Sequence, residues 1–351
     1  MKKKTKTPFV SICTPTFNRR PFYNMIIHCF QSQTYPKDRM EWVIIDDGTD
    51  KIEDLVKDIP QVKYFKYNEK MSLGKKRNLM HEKTKGEIII YMDDDDFYPP
   101  ERVSHAVEML QKNPNILMAG SSEMYIYFKH IHKMYQFGPY GPNHATAATF
   151  AFRKELLKTT SYEEHAALAE EKHFLKNYTI PFIQLDPLKT ILVFSHIHNS
   201  FDKKELLKQP ENNFMKMSNK TIDEFIKNED IKDFFINKID NILSNYEQGK
   251  VHYKPEVLKQ IQEIKENKNQ MIQQQMIQHL QQMDTFNRNT EKILNEHKQL
   301  IQILLKDNVE MKKRISKLEE NEIKKEIEKE IEKEIEKEKA EIKKEIEEEE
   351  N

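Results

Sequence analysis

From residue 8 to about residue 200, short apolar runs alternate with amphipathic stretches. The runs at 9–13, 42–45, 62–67 and 88–92 are short and rich in β-branched or aromatic side chains, which predicts strands. The stretches between them, 22–30, 52–59 and 73–84, predict helices. Further strands are expected at 116–128, 146–152 and 190–194, with a helix over 166–177. Strand–helix alternation implies βαβ units, so the expected fold class is α/β with a mostly parallel central sheet. Residues 201–254 are more polar, with helical pairs such as Phe225 with Ile226 and Phe234 with Phe235. They predict short helices that pack weakly on the preceding domain or link it onward.

The pattern changes after Pro255, beyond which neither glycine nor proline occurs and nothing breaks a helix. Leu280, Asn287, Leu294, Ile301, Asn308 and Ile315 fall at one seam position of a heptad. Met283, Thr290, His297, Leu304, Met311 and Leu318 fall at the other. This predicts an extended α-helical coiled coil. Asn287 and Asn308 favour a parallel homodimer, because a buried asparagine pairs with its own copy in two-stranded coils. After Asn321 the chain repeats Ile-Glu-Lys-Glu. Ile323, Ile327, Ile331 and Ile335 each overshoot one turn by about 40°, so they wind round the helix and build no seam. Glu–Lys neighbours three and four apart support a solvated charged helix there. The expected organisation is a basic tail at 1–7, an α/β domain at 8–200 and a helical extension at 201–254. A coiled coil at 255–321 and a charged helical tail at 322–351 complete it.

Composition narrows the function classes. Lys+Arg number 57 against 58 Asp+Glu, so no bulk positive charge invites nucleic acid. Cys13 and Cys29 are the only cysteines and have no zinc or disulfide spacing, which suits a reducing compartment. The basic start precedes no apolar stretch, so no signal peptide is expected. Runs such as 191–194 are far too short to cross a bilayer, so no transmembrane segment is expected. The expectation is a soluble, intracellular, cytoplasmic protein.

The most informative chemistry lies at 86–102, where an apolar run delivers four consecutive acids, Asp93, Asp94, Asp95 and Asp96. Adjacent carboxylates repel, and burying them requires pairing or a cation. Such oxygen-rich clusters suit Mg2+ or Mn2+, which take further ligands from water and phosphate. The carboxyl ends of strands are also where open α/β sheets bind ligands. The alternative is a solvated acidic turn capping the helix that begins near Pro100. Upstream, the loop after the first strand can present backbone groups and Thr14 or Thr16 to a base. The second strand ends in Asp46, Asp47 and Gly48, a turn signal whose carboxylates can accept the imide N–H of uracil or thymine. Gly74, Lys75, Lys76, Arg77 and Asn78 open a helix with three cations, which suits a diphosphate; a solvated basic turn is the alternative.

Five motifs therefore follow in order: Pro-Thr-Phe-Asn-Arg at 15–19, Gln-Thr-Tyr-Pro at 33–36, Asp-Asp-Gly at 46–48, Arg-Asn at 77–78, and the acidic, aromatic and Pro-Pro-Glu-Arg run at 93–102. With these residues the region 8–200 resembles a family 2 glycosyltransferase of the GT-A fold, in the non-processive form often encoded by large DNA viruses. The resemblance implies a metal-dependent enzyme, using Mn2+ or Mg2+, that moves one sugar from a nucleotide-sugar donor to an acceptor hydroxyl with inversion. A UDP-sugar is the favoured donor; the acceptor would be a glycan or a protein. For a viral chain the compartment would be the host cytoplasm.

The resemblance also implies roles. Asp47 would contact the base, with Thr14, Pro15 and Thr16 lining the same pocket and Arg77 near the base or diphosphate. Asp95 would be the main metal ligand, with Asp93 or Asp94 on ribose or in the metal shell, and Asp96 a cap or supporting carboxylate. A histidine after the last strand, His198 or His196, would complete the metal shell. The family's acidic pair facing the acceptor falls on Glu170 and Glu171. Glu171 fits the catalytic base and Glu170 is the alternative, although a Glu-Glu pair departs from the family's usual Glu-Asp or Asp-Asp. The processive signature Gln-x-x-Arg-Trp is absent, since the sole tryptophan, Trp42, lies in the second strand.

A sugar-phosphate nucleotidyltransferase is the rival enzyme, but it would carry a glycine-rich loop after its first strand, and 14–20 has no glycine. A coiled-coil scaffold with an inactive GT-A domain is the rival from another class. The acids Asp47, Asp93, Asp95 and Glu171 stand against it.

Overall fold

The computed structural model describes residues 7–168, 170–208 and 210–349, so the expected basic tail, Thr7 apart, lies outside the described residues. The chain forms two units, one up to Glu266 and one from Asn267 onward. The first begins β1 (Val10–Thr16), α1 (Tyr23–Gln31), β2 (Met40–Asp46), α2 (Glu53–Val56), β3 (Val62–Lys66), α3 (Leu73–Lys83), β4 (Ile88–Tyr91) and α4 (Arg102–Lys112). It continues with β5 (Met118–Gly120), β6 (Met124–Phe128), β7 (Lys133–Phe137), β8 (Ala151–Arg153), α5 (Glu171–Phe174), β9 (Phe182–Gln184) and β10 (Leu192–Ser195). Then come β11 (Met215–Met217), α6 (Ile222–Phe225), α7 (Glu229–Asp233), α8 (Ile239–Ser244) and the start of α9 (Pro255–Glu349).

One sheet has the order β3-β2-β1-β4-β8-β5-β9. Only β8 runs against its neighbours, so the sheet is mixed but mostly parallel. β1, β2 and β4 are buried along their whole length, as central parallel strands covered on both faces must be. Successive side chains point to opposite faces. Ile12, Trp42, Ile44 and Ile90 accordingly join one core, with Phe30 and Val103. Cys13, Val43, Ile45, Ile89 and Tyr91 join the other, with Met80 and Phe174. Trp42 stacks on Phe30 at 4.8 Å. Each large apolar side chain so buried contributes roughly 1.5–3 kcal/mol. Cys13 and Cys29 are both buried as free thiols. A second sheet, β10-β6-β7-β11, packs its aromatic residues into the first core.

Several elements differ from expectation. The strand expected at 116–128 is two, β5 and β6, one in each sheet. The break has a cause: Thr149 Oγ1 and Gln184 Oε1 accept the amides of Ser121 and Ser122 at 2.9 and 2.8 Å, which removes them from a ladder. The helix expected over 166–177 shrinks to the single turn α5, and positive φ at Lys176, Asn177 and Tyr178 stops it on the C-terminal side. Residues 201–254 pack more closely than their polarity implies. Phe225, Phe234, Phe235, Ile239 and Leu243 are buried, and Phe235 stacks on Phe194 of β10 at 4.2 Å.

The second unit is the remainder of α9, a continuous helix through Glu349. Pro255 opens it at a position where its missing N–H costs nothing. The expected seam residues, among them Leu280, Leu294, Ile301, Leu304, Ile315 and Leu318, are exposed in the single chain, as are Ile323, Ile327, Ile331 and Ile335. No described helix is long and apolar enough to cross a membrane.

Candidate active site

Parallel β1, β2 and β4 deliver their C-terminal ends to one edge of the sheet. The acidic turn after β4 is held there from several sides. Phe97 bridges to Leu192, and Asp96 Oδ1 accepts the Phe194 amide at 3.2 Å, fixing the turn against β10. Tyr98 Oη accepts the Asp93 amide at 2.7 Å. Buried Arg102 donates to the carbonyls of Tyr91, Thr149 and Phe150 at 3.2, 2.8 and 2.8 Å.

A cavity of about 140 Å³ opens at this edge, and Pro15, Thr16, Arg19, Lys76, Arg77 and Asp93 to Asp95 are on its wall. Thr14, Asp47, Glu170 and His198 do not line it but are bonded to Met92, Lys76, Arg77 and Arg19, and Glu171 follows Glu170 in the chain. Thr14 Oγ1 donates to the Met92 carbonyl at 2.7 Å and accepts Trp42 Nε1 at 2.8 Å, tying β1 to the acidic turn. Asp47 accepts the Met71 amide at 2.6 Å and pairs with Lys76, whose Nζ also donates to the Thr16 carbonyl at 3.1 Å. Asp46 takes the amides of Gly48 and Ile52 and the Tyr64 hydroxyl. Gly48 is required here: a Cβ would lie 2.6 Å from the Asn18 amide nitrogen. Asn18, itself at positive φ, accepts the amides of Thr49 and Asp50 through Oδ1.

Arg77 is the hub. Its Nε donates to Glu170 Oε1 at 2.8 Å, its Nη2 lies 3.5 Å from Asp93 Oδ1, and its guanidinium sits 4.5 Å over the Tyr91 ring. Three residues earlier, Gly74 lets the segment at Glu163 pack against α3, since a Cβ there would lie only 2.0 Å from the Glu163 carbonyl oxygen. Glu170 is buried against Arg77. Glu171 is half-buried, and burial together with the Glu170 carboxylate pushes it up to about 7.

The acids differ sharply from one another. Burial raises Asp93, with Arg77 opposing. Burial raises Asp94 to about 7, against Arg19 Nε at 3.6 Å. For Asp95, burial is outweighed by Arg19 Nη2 at 3.3 Å and His196 Nε2 at 3.2 Å, both on Oδ2, which hold it well below the carboxylate range. His196 is neutral, lowered to about 3 mainly by burial. Its Nδ1 accepts the His198 amide at 3.2 Å, and its Nε2 lies 2.8 Å from Asn199 Nδ2 as well as 3.2 Å from Asp95 Oδ2. His198 is buried with both ring nitrogens unpartnered, and burial lowers it to about 4.

Among the described residues no three His, Cys, Asp or Glu side chains converge as a ready metal cradle. Mg2+ and Mn2+ sites built on phosphates need only one or two carboxylates. Buried Asp93 Oδ1, which is ion-paired with Arg77, and Asp94 Oδ2 accept no hydrogen bond from the described residues, and with the imidazole of His198 they supply donors of that chemistry. Lys76 is on the wall as one of the three cations expected to suit a diphosphate, whereas sequence reasoning missed Arg19 and Lys254 as wall cations. Arg19 sits inside a motif that could have flagged it; Lys254 carries no local signal.

An α/β domain with acids and cations gathered at one sheet edge is thereby defined. Residues 11–169 match the family model for glycosyl transferase family 2. An uncharacterized glycosyltransferase of Rickettsia typhi is 29% identical over 116 residues, covering 33% of this chain and 36% of that protein. The poly(ribitol-phosphate) beta-N-acetylglucosaminyltransferase TarS of Staphylococcus aureus is 25% identical over 116 residues, covering 29% of this chain and 19% of its own. The chain therefore spans well under two thirds of the length of these curated relatives. Among solved structures, S. aureus TarS 1-349 in complex with UDP-GlcNAc aligns with a TM-score of 0.42 at 17% identity, covering 59% of this chain and 60% of that one. The mannosyltransferase PcManGT from Pyrobaculum calidifontis, in complex with GDP-Man and Mn2+, aligns with a TM-score of 0.44 at 14% identity, covering 69% and 75%. The family match and the curated relatives make residues 11–169 similar to glycosyl transferase family 2, carried here on an α/β domain with a mixed sheet.

Proposed function

We propose that the first unit binds a nucleotide-sugar at the edge formed by β1, β2 and β4 and transfers one sugar, with inversion, to an acceptor hydroxyl. The observation that carries this reading is the Arg77 bridge. One guanidinium ties the acidic turn on the donor side, at Asp93, to the acidic pair on the acceptor side, at Glu170. Glu170 is then the positioning carboxylate and Glu171 the base. A carboxyl group raised to about 7 is matched to accepting a proton near neutral pH. Glu171 takes the acceptor hydroxyl's proton as that oxygen bonds to the anomeric carbon and the nucleoside diphosphate leaves with the electrons of the broken bond.

Pro15, Thr16 and the Asp47–Lys76 pair, with Thr14 behind them, form the base side of the site. A carboxylate there favours a uracil imide, hence a UDP-sugar. Asp95 and Asp93, with His198, would hold Mn2+ or Mg2+, which when bound supplies a Lewis acid to the leaving diphosphate. The exposed seam of α9 is proposed to pair with a second copy as a parallel two-stranded coil, making the protein a homodimer.

The test is a panel of nucleotide sugars with Mn2+, following release of free nucleoside diphosphate with and without chelator. Turnover of a UDP-sugar that chelator abolishes is expected. If calorimetry finds no nucleotide sugar bound to the full-length protein, the reading is wrong.

A further inference from the structure

We propose that Lys254, on the turn leading into α9, is a ligand for the diphosphate of the donor; this rests on the reading of the cavity as the donor site. Lys254 lies far beyond the segment that matches the family model, yet its side chain is on the cavity wall. It is 9% exposed. Its Nζ donates to Ser200 Oγ at 2.9 Å, and among the described residues no carboxylate forms an ion pair with it. An ammonium carries three donors, and burying it with one hydroxyl as partner is costly.

The same wall holds other spare donors. Arg19 Nη1 and Arg77 Nη1 are buried and without partners. Three cationic groups with unused N–H bonds around one small cavity define a site for an anion with several oxygens. A diphosphate offers that charge and those acceptors within one ligand.

The first turn of α9 is built to hold Lys254 in place without neutralising it. Glu256 pairs with Lys70 on one flank of the cavity. Gln260 Oε1 accepts the amides of Ala167 and Leu168 at 2.9 and 2.7 Å on the other. Burial lowers the lysine's pKa, Arg19 adds to the effect, and Asp94 and Asp95 oppose it. Phosphate oxygens in the cavity would tip that balance toward the charged form.

The experiment compares full-length parent, Lys254→Met and Lys254→Arg in Mn2+ buffer. Calorimetry measures UDP and GDP, and ligand-observed NMR measures uridine and guanosine. Lys254→Met should weaken the preferred diphosphate by about 10- to 100-fold, the worth of a charge-assisted bond, and leave its nucleoside unchanged. Lys254→Arg should stay within about threefold of the parent, because it keeps the charge. Gln260→Ala, which loosens the turn and keeps the lysine, should cost the diphosphate alone a smaller factor; it serves if the methionine variant does not fold. Equal diphosphate affinity in parent and Lys254→Met, or in parent and Gln260→Ala when only that variant folds, overturns the role of Lys254 and spares the donor site. Equal loss of diphosphate and nucleoside also overturns it, since the cavity itself would then have collapsed. A parent that binds neither diphosphate removes the donor-site reading and this inference with it.

Discussion

Ile90 in the first unit is fully buried, while Leu304 in the second is 57% exposed, although both sit in strongly patterned apolar stretches. The sheet's apolar residues are covered by helices of the same chain. The seam residues of α9 are exposed in the single chain. Charges divide the same way. At the sheet edge, carboxylates and histidines are buried and displaced from their ordinary ionisation. On α9, Arg288 pairs with Asp284 and Arg314 with Glu310 at 2.9 and 3.1 Å on the surface, where such pairs are worth only about 0.3–0.5 kcal/mol each. The contrast separates two questions that a hydrophobic period merges: which face of an element is apolar, and what covers it.

Single substitutions should therefore act strongly in the first unit and weakly in the second. The largest effect is expected from Glu171→Gln, which should lower transfer by roughly 100- to 10,000-fold while donor affinity stays intact. Release of nucleoside diphosphate beside calorimetry measures both, and normal turnover would remove α5 from catalysis. Glu170→Gln should instead destabilise the first unit by about 3 kcal/mol in denaturant unfolding, because Arg77 loses a buried charged partner. An inactive but fully stable Glu170→Gln protein would reverse the two assignments.

On α9 it should take two changes on the seam to produce an effect. Ile301→Lys with Leu304→Lys is expected to give a monomer in light scattering without lowering the melting temperature of the first unit. Truncation after Asn321 should leave the oligomer unchanged. A parent protein that is monomeric at micromolar concentration would break the comparison outright.

The subtlest effect is on pH dependence. Glu171 and Asp94 hold their protons up to about 7 when folded, well above the ordinary carboxylate range. The folded state binds these protons more tightly, so their contribution to stability is present at low pH and is lost as pH rises through that window. His196 and His198, lowered by burial, slope the other way below their ordinary pKa. The informative quantity is thus the difference between parent and Glu171→Gln. Relative to the parent, the variant should gain stability between about pH 5 and 7, and identical pH curves would mean that Glu171 does not carry the raised pKa.

Much of the fold was legible because β4 and the 42–45 stretch of β2 are apolar without interruption and β1 opens on Val10, Ile12 and Cys13, as doubly covered strands do. β7, β9 and β11 were not anticipated, since Gln136 and Lys216 interrupt β7 and β11 and β9 offers only Phe182 and Ile183 before Gln184. The split of 116–128 was hidden for another reason: it depends on side chains of Thr149 and Gln184, remote in sequence. In the site, the acids announced themselves by their adjacency. Their separation into raised Asp94 and lowered Asp95 did not, because only in three dimensions does His196 reach Asp95 and not Asp94, while Arg19 touches both. Glu170 and Glu171 were legible as a pair, and the Arg77 contact that distinguishes them was not.

The two thiols give the molecule a pair of internal clocks. Cys13 lies in β1, and its carbonyl accepts the Met92 amide at 3.1 Å just before the acidic turn. Cys29 lies in α1, and its Sγ accepts the Tyr98 amide at 3.5 Å just after that turn. Burial raises both pKa values, that of Cys29 to about 12, so the reactive thiolate is scarce while the floor of the site is closed. With no other cysteine in the sequence, the rate of alkylation counts openings of that floor directly. A ligand that braces the acidic turn should slow both clocks, and one that settles elsewhere should leave them running at the same pace.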